Sequence, residues 1–317
     1  MKKLNCIISL MLITVLGISA QQNVENQYSL SLVSTTNAGS VPYGIYVNND
    51  HAFITNNHNL LIFDISDILR PRKLSSIHVG VTFSLTIRNN IAYTVGGDGL
   101  FIIDVSDPDT PYKIGHFGLQ GNGKSIWIES SLAYIASSAG LEIVDISIPS
   151  SPKAISHCSE GPSRGVVIVD DIAYVANRIR GLELINVSEP LKPYKISTLQ
   201  GTEAAWNLHV YKDYLFLGRH QNGVDILNIS DRNNPQRIGH FNDNDGGEAL
   251  SVWGEDNYLY VADNFGLEIL NIQNPENPIQ IEELGALGCT HDIFVKGTKI
   301  FIASVEKGLI ILEFIPE

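Results

Sequence analysis

Helical periodicity is missing from this 317-residue chain. No stretch carries apolar residues at spacings of three and four, which excludes helix bundles and helix-covered parallel sheets. Basic residues are scarce: 21 Lys and Arg stand against 34 Asp and Glu, for a net charge of −13. That balance argues against general nucleic-acid binding, which needs a basic footprint. Cysteine is scarce too, with only Cys6, Cys158 and Cys289, too few for a disulfide framework. After the first twenty residues no long apolar run appears, so no membrane span is expected in the rest of the chain. The short motifs that announce chemistry are also missing. There is no G-x-S-x-G elbow, no phosphate-binding P-loop, no dinucleotide fingerprint, no HExxH and no tight His-x-His pair. No cofactor and no metal site is expected.

The N-terminus has the layout of an export signal over residues 1–20. Met1-Lys2-Lys3 is a basic start, Ile7 to Ile18 a short apolar stretch, and Ser19-Ala20 before Gln21-Gln22 a cleavage point. An uncleaved anchor is the alternative. Cys6 lies too far upstream to accept a lipid. The chain is therefore expected to be exported, as a periplasmic, cell-surface or secreted protein. Residues 21–317 form one domain, expected to be a monomer.

What the sequence does contain is repetition. GLFIIDVSDPDTP (Gly99 to Pro111), GLEIVDISIPSSP (Gly140 to Pro152), GLELINVSEPLKP (Gly181 to Pro193), GVDILNISDRNNP (Gly223 to Pro235) and GLEILNIQNPENP (Gly266 to Pro278) recur every 41 to 43 residues. NLLIFDISDILRP (Asn59 to Pro71) opens the series and GLIILEF (Gly308 to Phe314) ends it. Around each copy lie an earlier strand such as SIWIES, an aromatic second strand such as LAYIAS, and a fourth strand such as KIGHF. Four short strands in each unit of about 40 residues mark a β-propeller. Seven third strands predict an all-β, seven-bladed propeller of four-stranded blades. The glycine is expected where a side chain would crowd the turn. The following Asp or Asn (Asp64, Asp104, Asp145, Asn186, Asn228, Asn271) is expected to accept backbone N–H bonds in the coming turn; calcium binding there is a competing role. The same turn absorbs the glycosylation-like triplets at Asn186 and Asn228. The last unit stops after its third strand, and YSLSLVS (Tyr28 to Ser34) has the pattern of the missing fourth. Residues 28–34 should therefore close the ring against Gly308 to Phe314. Cys158 and Cys289 then fall in blades on different sides of the ring, too far apart for a disulfide.

The recurring LEIVD (Leu141 to Asp145) and LFIID (Leu100 to Asp104) resemble the LVIVD-repeat family, propeller-like units found in exported and surface proteins of bacteria and archaea. The resemblance covers roughly residues 28 to 317 and implies architecture. It implies no activity, because a propeller hosts many unrelated functions.

Whatever recurs in every unit belongs to the scaffold, and what occurs once is a candidate for function. The residue just before strand one reads Tyr43, Phe83, Lys124, Arg164, Trp206, Leu250 and His291 around the ring. The loops between strands two and three add His58, Arg178, Arg180, Arg219 and His220. The candidate ligand-binding set is Tyr43, Phe83, Lys124, Arg164, Arg178, Arg180, Trp206, Arg219, His220 and His291, at the channel mouth. Arginine forks suit carboxylate, sulfate or phosphate, and aromatic faces suit sugar rings. A binding module for an anionic small molecule, a saccharide or a partner protein is the leading expectation. Solvated loop charges, partly neutralised by Glu160, Glu203, Asp243, Asp245 and Glu248, are the bland reading of the same residues. The alternative is a lyase or hydrolase acting on an acidic saccharide, with Tyr43, His58 or His291 as acid or base. His58, His220 and His291 with Asp292 could form a metal site only without a recognisable spacing. His116, His157 and His240 share one fourth-strand register and are expected to be structural.

Overall fold

The alternating Ile-, Val- and Tyr-rich stretches fold as 28 β-strands in a computed structural model that describes residues 28–159, 161–242 and 246–316. The proposed signal segment lies outside the described residues. Strand β1 is Tyr28–Thr36. Blade 1 holds β2 (Pro42–Asn48), β3 (His51–Asn56), β4 (Asn59–Asp64) and β5 (Arg72–His78). Blade 2 holds β6 (Thr82–Arg88), β7 (Ile91–Gly96), β8 (Gly99–Asp104) and β9 (Tyr112–Phe117). Blade 3 follows with β10 (Gly123–Glu129), β11 (Leu132–Ser137), β12 (Gly140–Asp145) and β13 (Lys153–Cys158). Blade 4 is β14 (Ser163–Val169), β15 (Ile172–Asn177), β16 (Gly181–Asn186) and β17 (Tyr194–Leu199). Blade 5 is β18 (Asn207–Tyr211), β19 (Tyr214–Gly218), β20 (Val224–Asn228) and β21 (Gln236–Phe241). Blade 6 is β22 (Ser251–Glu255), β23 (Tyr258–Ala262), β24 (Leu267–Asn271) and β25 (Ile279–Leu284). Blade 7 combines β26 (Thr290–Lys296), β27 (Lys299–Ser304) and β28 (Gly308–Pro316) with β1. All seven sheets have four antiparallel strands. The only helical element among the described residues is a 3₁₀ turn at Gly285–Leu287, and none is long and apolar enough to cross a membrane.

Ring closure is as the sequence predicts. β1 pairs with β28 from Tyr28↔Pro316 to Thr36↔Leu309. The strand runs two residues beyond the expected Ser34. The Tyr28 hydroxyl reaches past its own blade and donates to the Ile281 carbonyl in blade 6 at 2.5 Å, with Glu282 Oε2 at 3.1 Å. Burial, then the Glu282 charge, pushes this phenol up to about 12.

The core lies in the seams between blades. Each of the seven apolar clusters joins one pair of neighbours; one joins Phe53, Leu60 and Ile62 of blade 1 to Leu85, Ile87 and Ile103 of blade 2, for example. Third strands are buried on both faces because each sheet is covered on both sides. Their leading glycine has a positive φ, +137° at Gly140 and +68° at Gly223. A Cβ there would meet a carbonyl at or just after the fourth strand, at 2.4 Å from Ser159 O and 2.0 Å from Phe241 O. All six turn residues expected to cap the chain do so. Asp64, Asp104, Asp145, Asn186, Asn228 and Asn271 each accept the N–H two residues on, at 2.8–3.1 Å. The fourth-strand histidines are structural as expected. His116 and His157 bond the carbonyls of Asp98 and Ala139 in the preceding loops, and His240 bonds the Asp225 carboxylate at 2.8 Å. Cys158 and Cys289 are both free.

Candidate functional site

The loops entering strand one and the loops between strands two and three are hydrogen-bonded to each other around one end of the ring. Val79 N–H bonds His58 O, Ser138 N–H bonds Asn122 O, Ala204 N–H bonds Arg178 O, and Thr290 N–H bonds Asp263 O. This places the two variable loop sets on a single face.

The residue expected just before strand one instead lies within that strand in five blades. Tyr43, Phe83, Lys124, Arg164 and His291 are each the extra residue of a β-bulge: the register steps from Pro42 to Gly44, Thr82 to Ser84, Gly123 to Ser125, Ser163 to Gly165, and Thr290 to Asp292. A bulge leaves one residue outside the ladder and re-aims its side chain. In blades 5 and 6, Trp206 and Leu250 stand one residue ahead of the strand, with their N–H groups bonded to Gly218 O and Ala262 O.

The bulge residues form a tier of contacts. His291 stacks on Tyr43, with ring centroids 5.0 Å apart and planes within 3°. Its Nδ1 lies 2.8 Å from Pro42 O, so that nitrogen carries the proton. Tyr43 meets Phe83 edge-on at 5.1 Å. Lys124 Nζ sits 3.4 Å above the Phe83 ring. Across the ring Arg164 covers Trp206 at 4.0 Å, and Trp206 meets His220 at 4.7 Å. The contacts stop between blades 3 and 4, where Lys124 and Arg164 are sequence-equivalent neighbours, and again after His220, since the blade 6 equivalent is Leu250. Burial, then the Arg164 charge, brings the Lys124 ammonium down to about 8. Burial, then Arg178, lowers Arg164 as well.

The expected cations divide into two groups. Arg219 is buried and donates to Asp225 Oδ2 at 3.0 Å and to Glu203 O. Arg180 pairs with Glu183 at 3.7 Å, and His220 with Glu248 at 3.1 Å. Lys124, Arg164 and Arg178 have no carboxylate within ion-pair distance among the described residues. Glu160, Asp243 and Asp245, expected to neutralise the face in part, lie outside the described residues. His58 is exposed and shares no hydrogen bond or ring contact with Tyr43 or His291, although an acid–base pair needs such reach. Among the described residues no three His, Cys, Asp or Glu side chains are grouped as a metal would need.

One set of residues escaped the sequence reading, and one residue weighed there only as a metal ligand has a different role. Glu142, Glu183, Asp225 and Glu268 occupy one third-strand register and are nearly or fully buried. Glu142 accepts Gln120 N–H at 2.8 Å, Gly121 N–H at 3.2 Å and the Ser137 hydroxyl at 2.6 Å. Glu183 takes Lys195 at 3.1 Å, Asn177 at 3.3 Å and the Ser159 hydroxyl. These acids anchor the loops from inside. The residue with a different role is Asp292, which bridges three blades by accepting Ile45 N–H (2.9 Å), the Ser251 hydroxyl (2.7 Å) and Ile293 N–H (3.0 Å). Burial pushes it up to about 6.

Fold and repeat together define a seven-bladed repeat propeller with a variable loop face. The family model described as "LVIVD repeat" matches residues 42–74, 79–117, 120–159, 160–198, 203–243 and 246–284. The chain belongs to the LVIVD-repeat family. Blade 7 is the one unmatched, and its fourth strand comes from the other end of the chain. No curated protein matches the sequence. Among solved structures, the chain is similar to the β-propeller domain of Cps50 (Swd1) from Myceliophteria thermophila, with a TM-score of 0.72, 12% identity, and coverage of 90% of this chain and 99% of that one. It is also similar to the computationally designed Ika8 protein, with a TM-score of 0.67, 10% identity, and coverage of 90% and 100%. At these identities the likeness concerns the fold alone.

Proposed function

We propose that the protein is an exported, non-enzymatic binding module that holds an anionic ligand at the mouth of its channel. The observation that supports this is the Lys124–Arg164–Arg178 group. In a chain with an excess of 13 negative charges, Arg180, Arg219 and His220 on this face are matched to acids, and among the described residues these three are not. Lys124 and Arg164 are partly removed from water; the Arg164 charge lowers Lys124, and the Arg178 charge lowers Arg164. Such a group gains most from an oxyanion, through charge-assisted hydrogen bonds of about 1.5–3 kcal/mol each. The flanking rings are held by one another, so the site is largely formed before the ligand arrives.

The test is a thermal-shift screen of uronic acids, sulfated sugars and phosphates. Ligand that binds only the folded state raises the melting temperature by mass action. The expected result is a concentration-dependent rise for at least one oxyanion, lost in Lys124→Met and reduced in Arg178→Ala. A flat response to every oxyanion, or an equal response in Lys124→Met, overturns the proposal.

A further inference from the structure

The two central cations lean in opposite directions. Lys124 of blade 3 rests on Phe83 of blade 2, at 3.4 Å. Arg164 of blade 4 rests on Trp206 of blade 5, at 4.0 Å. The seam between blades 3 and 4 is thus flanked by two like charges, each parked on an aromatic face on its far side. We infer that the ligand is an acidic oligosaccharide, its acid group lying across this seam and its neighbouring sugar rings stacking on Phe83 and Trp206. This rests on the anion-binding proposal above and adds a ligand class and a mode of engagement to it.

The reasoning is an exchange of partners. A charge-assisted hydrogen bond to an oxyanion holds a cation at least as well as a half-buried ring face does, and one acid group can accept from both cations at once. An acid group in the seam therefore draws Lys124 and Arg164 inward, and their long side chains allow the swing. Each departing cation uncovers a ring face. Those rings stay where they are, because Tyr43 holds Phe83 from the side and His220 holds Trp206. A lone oxyanion would leave both faces bare. A ligand that carries flat, partly apolar rings on either side of its acid group fills them, and this is how aromatic side chains meet sugars.

Calorimetry with three probes tests this: sodium sulfate, galacturonic acid and trigalacturonic acid. The trimer should bind at least tenfold tighter than the monomer. Trp206→Leu, which keeps apolar bulk and removes the flat face, should erase that advantage, so that the trimer binds no tighter than the monomer. Phe83→Leu should act alike, and melting curves of both variants verify their folding. Lys124→Met should weaken all three probes. Equal affinity for monomer and trimer, or an undiminished trimer advantage in both ring variants, overturns the oligosaccharide assignment and leaves the anion site standing. No binding of any probe overturns the anion site with it.

Discussion

Consider a chain that begins at Ser40 in place of Gln21, and so lacks the closing strand. It loses eight paired residues along β28. Backbone hydrogen bonds of about 0.5–1.5 kcal/mol each disappear, but so does the ordering cost of about 1–2 kcal/mol for each residue of β1. These two oppose each other and are of the same order. What remains is side-chain burial. Tyr28 and Leu30 pack on the cluster around Phe314, Val33 packs on the cluster around Ile311, and Ala38 belongs to that second core outright. Partial burial of three large side chains is worth about 1 kcal/mol each. The Tyr28 tie to Ile281 adds about 1 kcal/mol. The uncovered Phe314 and Leu312 add about 1 kcal/mol more, so lost burial and the lost tie come to about 5 kcal/mol. At about 2 °C per kcal/mol for a domain of this size, the melting temperature should fall by about 10 °C. Circular dichroism melts of the two chains measure it, and adding a synthetic peptide of residues 28–36 in excess should recover part of the loss. Equal melting temperatures would refute the closure argument.

Three further outcomes follow from the geometry. Gly140→Ala forces a Cβ to within 2.4 Å of Ser159 O at a φ of +137°; it should cost about 1–3 kcal/mol in denaturant melts. Arg219→Ala leaves the fully buried Asp225 with only His240 and the more distant Arg237 and should cost up to about 3 kcal/mol, whereas Arg178→Ala should change stability by less than about 0.5 kcal/mol. The lowered Lys124 pKa sets a pH window. Between pH 8 and 10.5 the unfolded lysine still holds a proton that the folded one has released, so stability from this group rises with pH across that range and is least below pH 8. The wild type should therefore gain stability relative to Lys124→Met on going from pH 7.5 to pH 10, and an unchanging difference would contradict the burial of this ammonium.

Much of this molecule was legible in its sequence, because a propeller says the same thing in every blade. The third-strand glycines, the Asp and Asn caps and the spare strand at Tyr28 to Ser34 were each recognisable from repetition or from its interruption. The channel-mouth residues were found by subtraction, but their geometry was not. A bulge is invisible in a residue pattern, so Tyr43, Phe83, Lys124, Arg164 and His291 read as loop residues until the register showed them inside the first strand. The division of cations into paired and unpaired was also hidden. One signal could have exposed it: Glu142, Glu183, Asp225 and Glu268 stand where Leu61, Phe101 and Ile310 stand in the other blades. An acid in a register otherwise reserved for the core needs partners, and Arg180 and Arg219 are the nearby cations that supply them. The ring stacking that links Tyr43 to His291 joins residues 248 positions apart, a relation that only ring closure creates.

The most direct measurement is a crystal structure of the protein soaked with galacturonate. The carboxylate should lie within hydrogen-bond distance of both Lys124 Nζ and the Arg164 guanidinium, with the two side chains drawn off Phe83 and Trp206. A galacturonate bound elsewhere on the ring, or one that leaves both cations on their rings, would contradict the account.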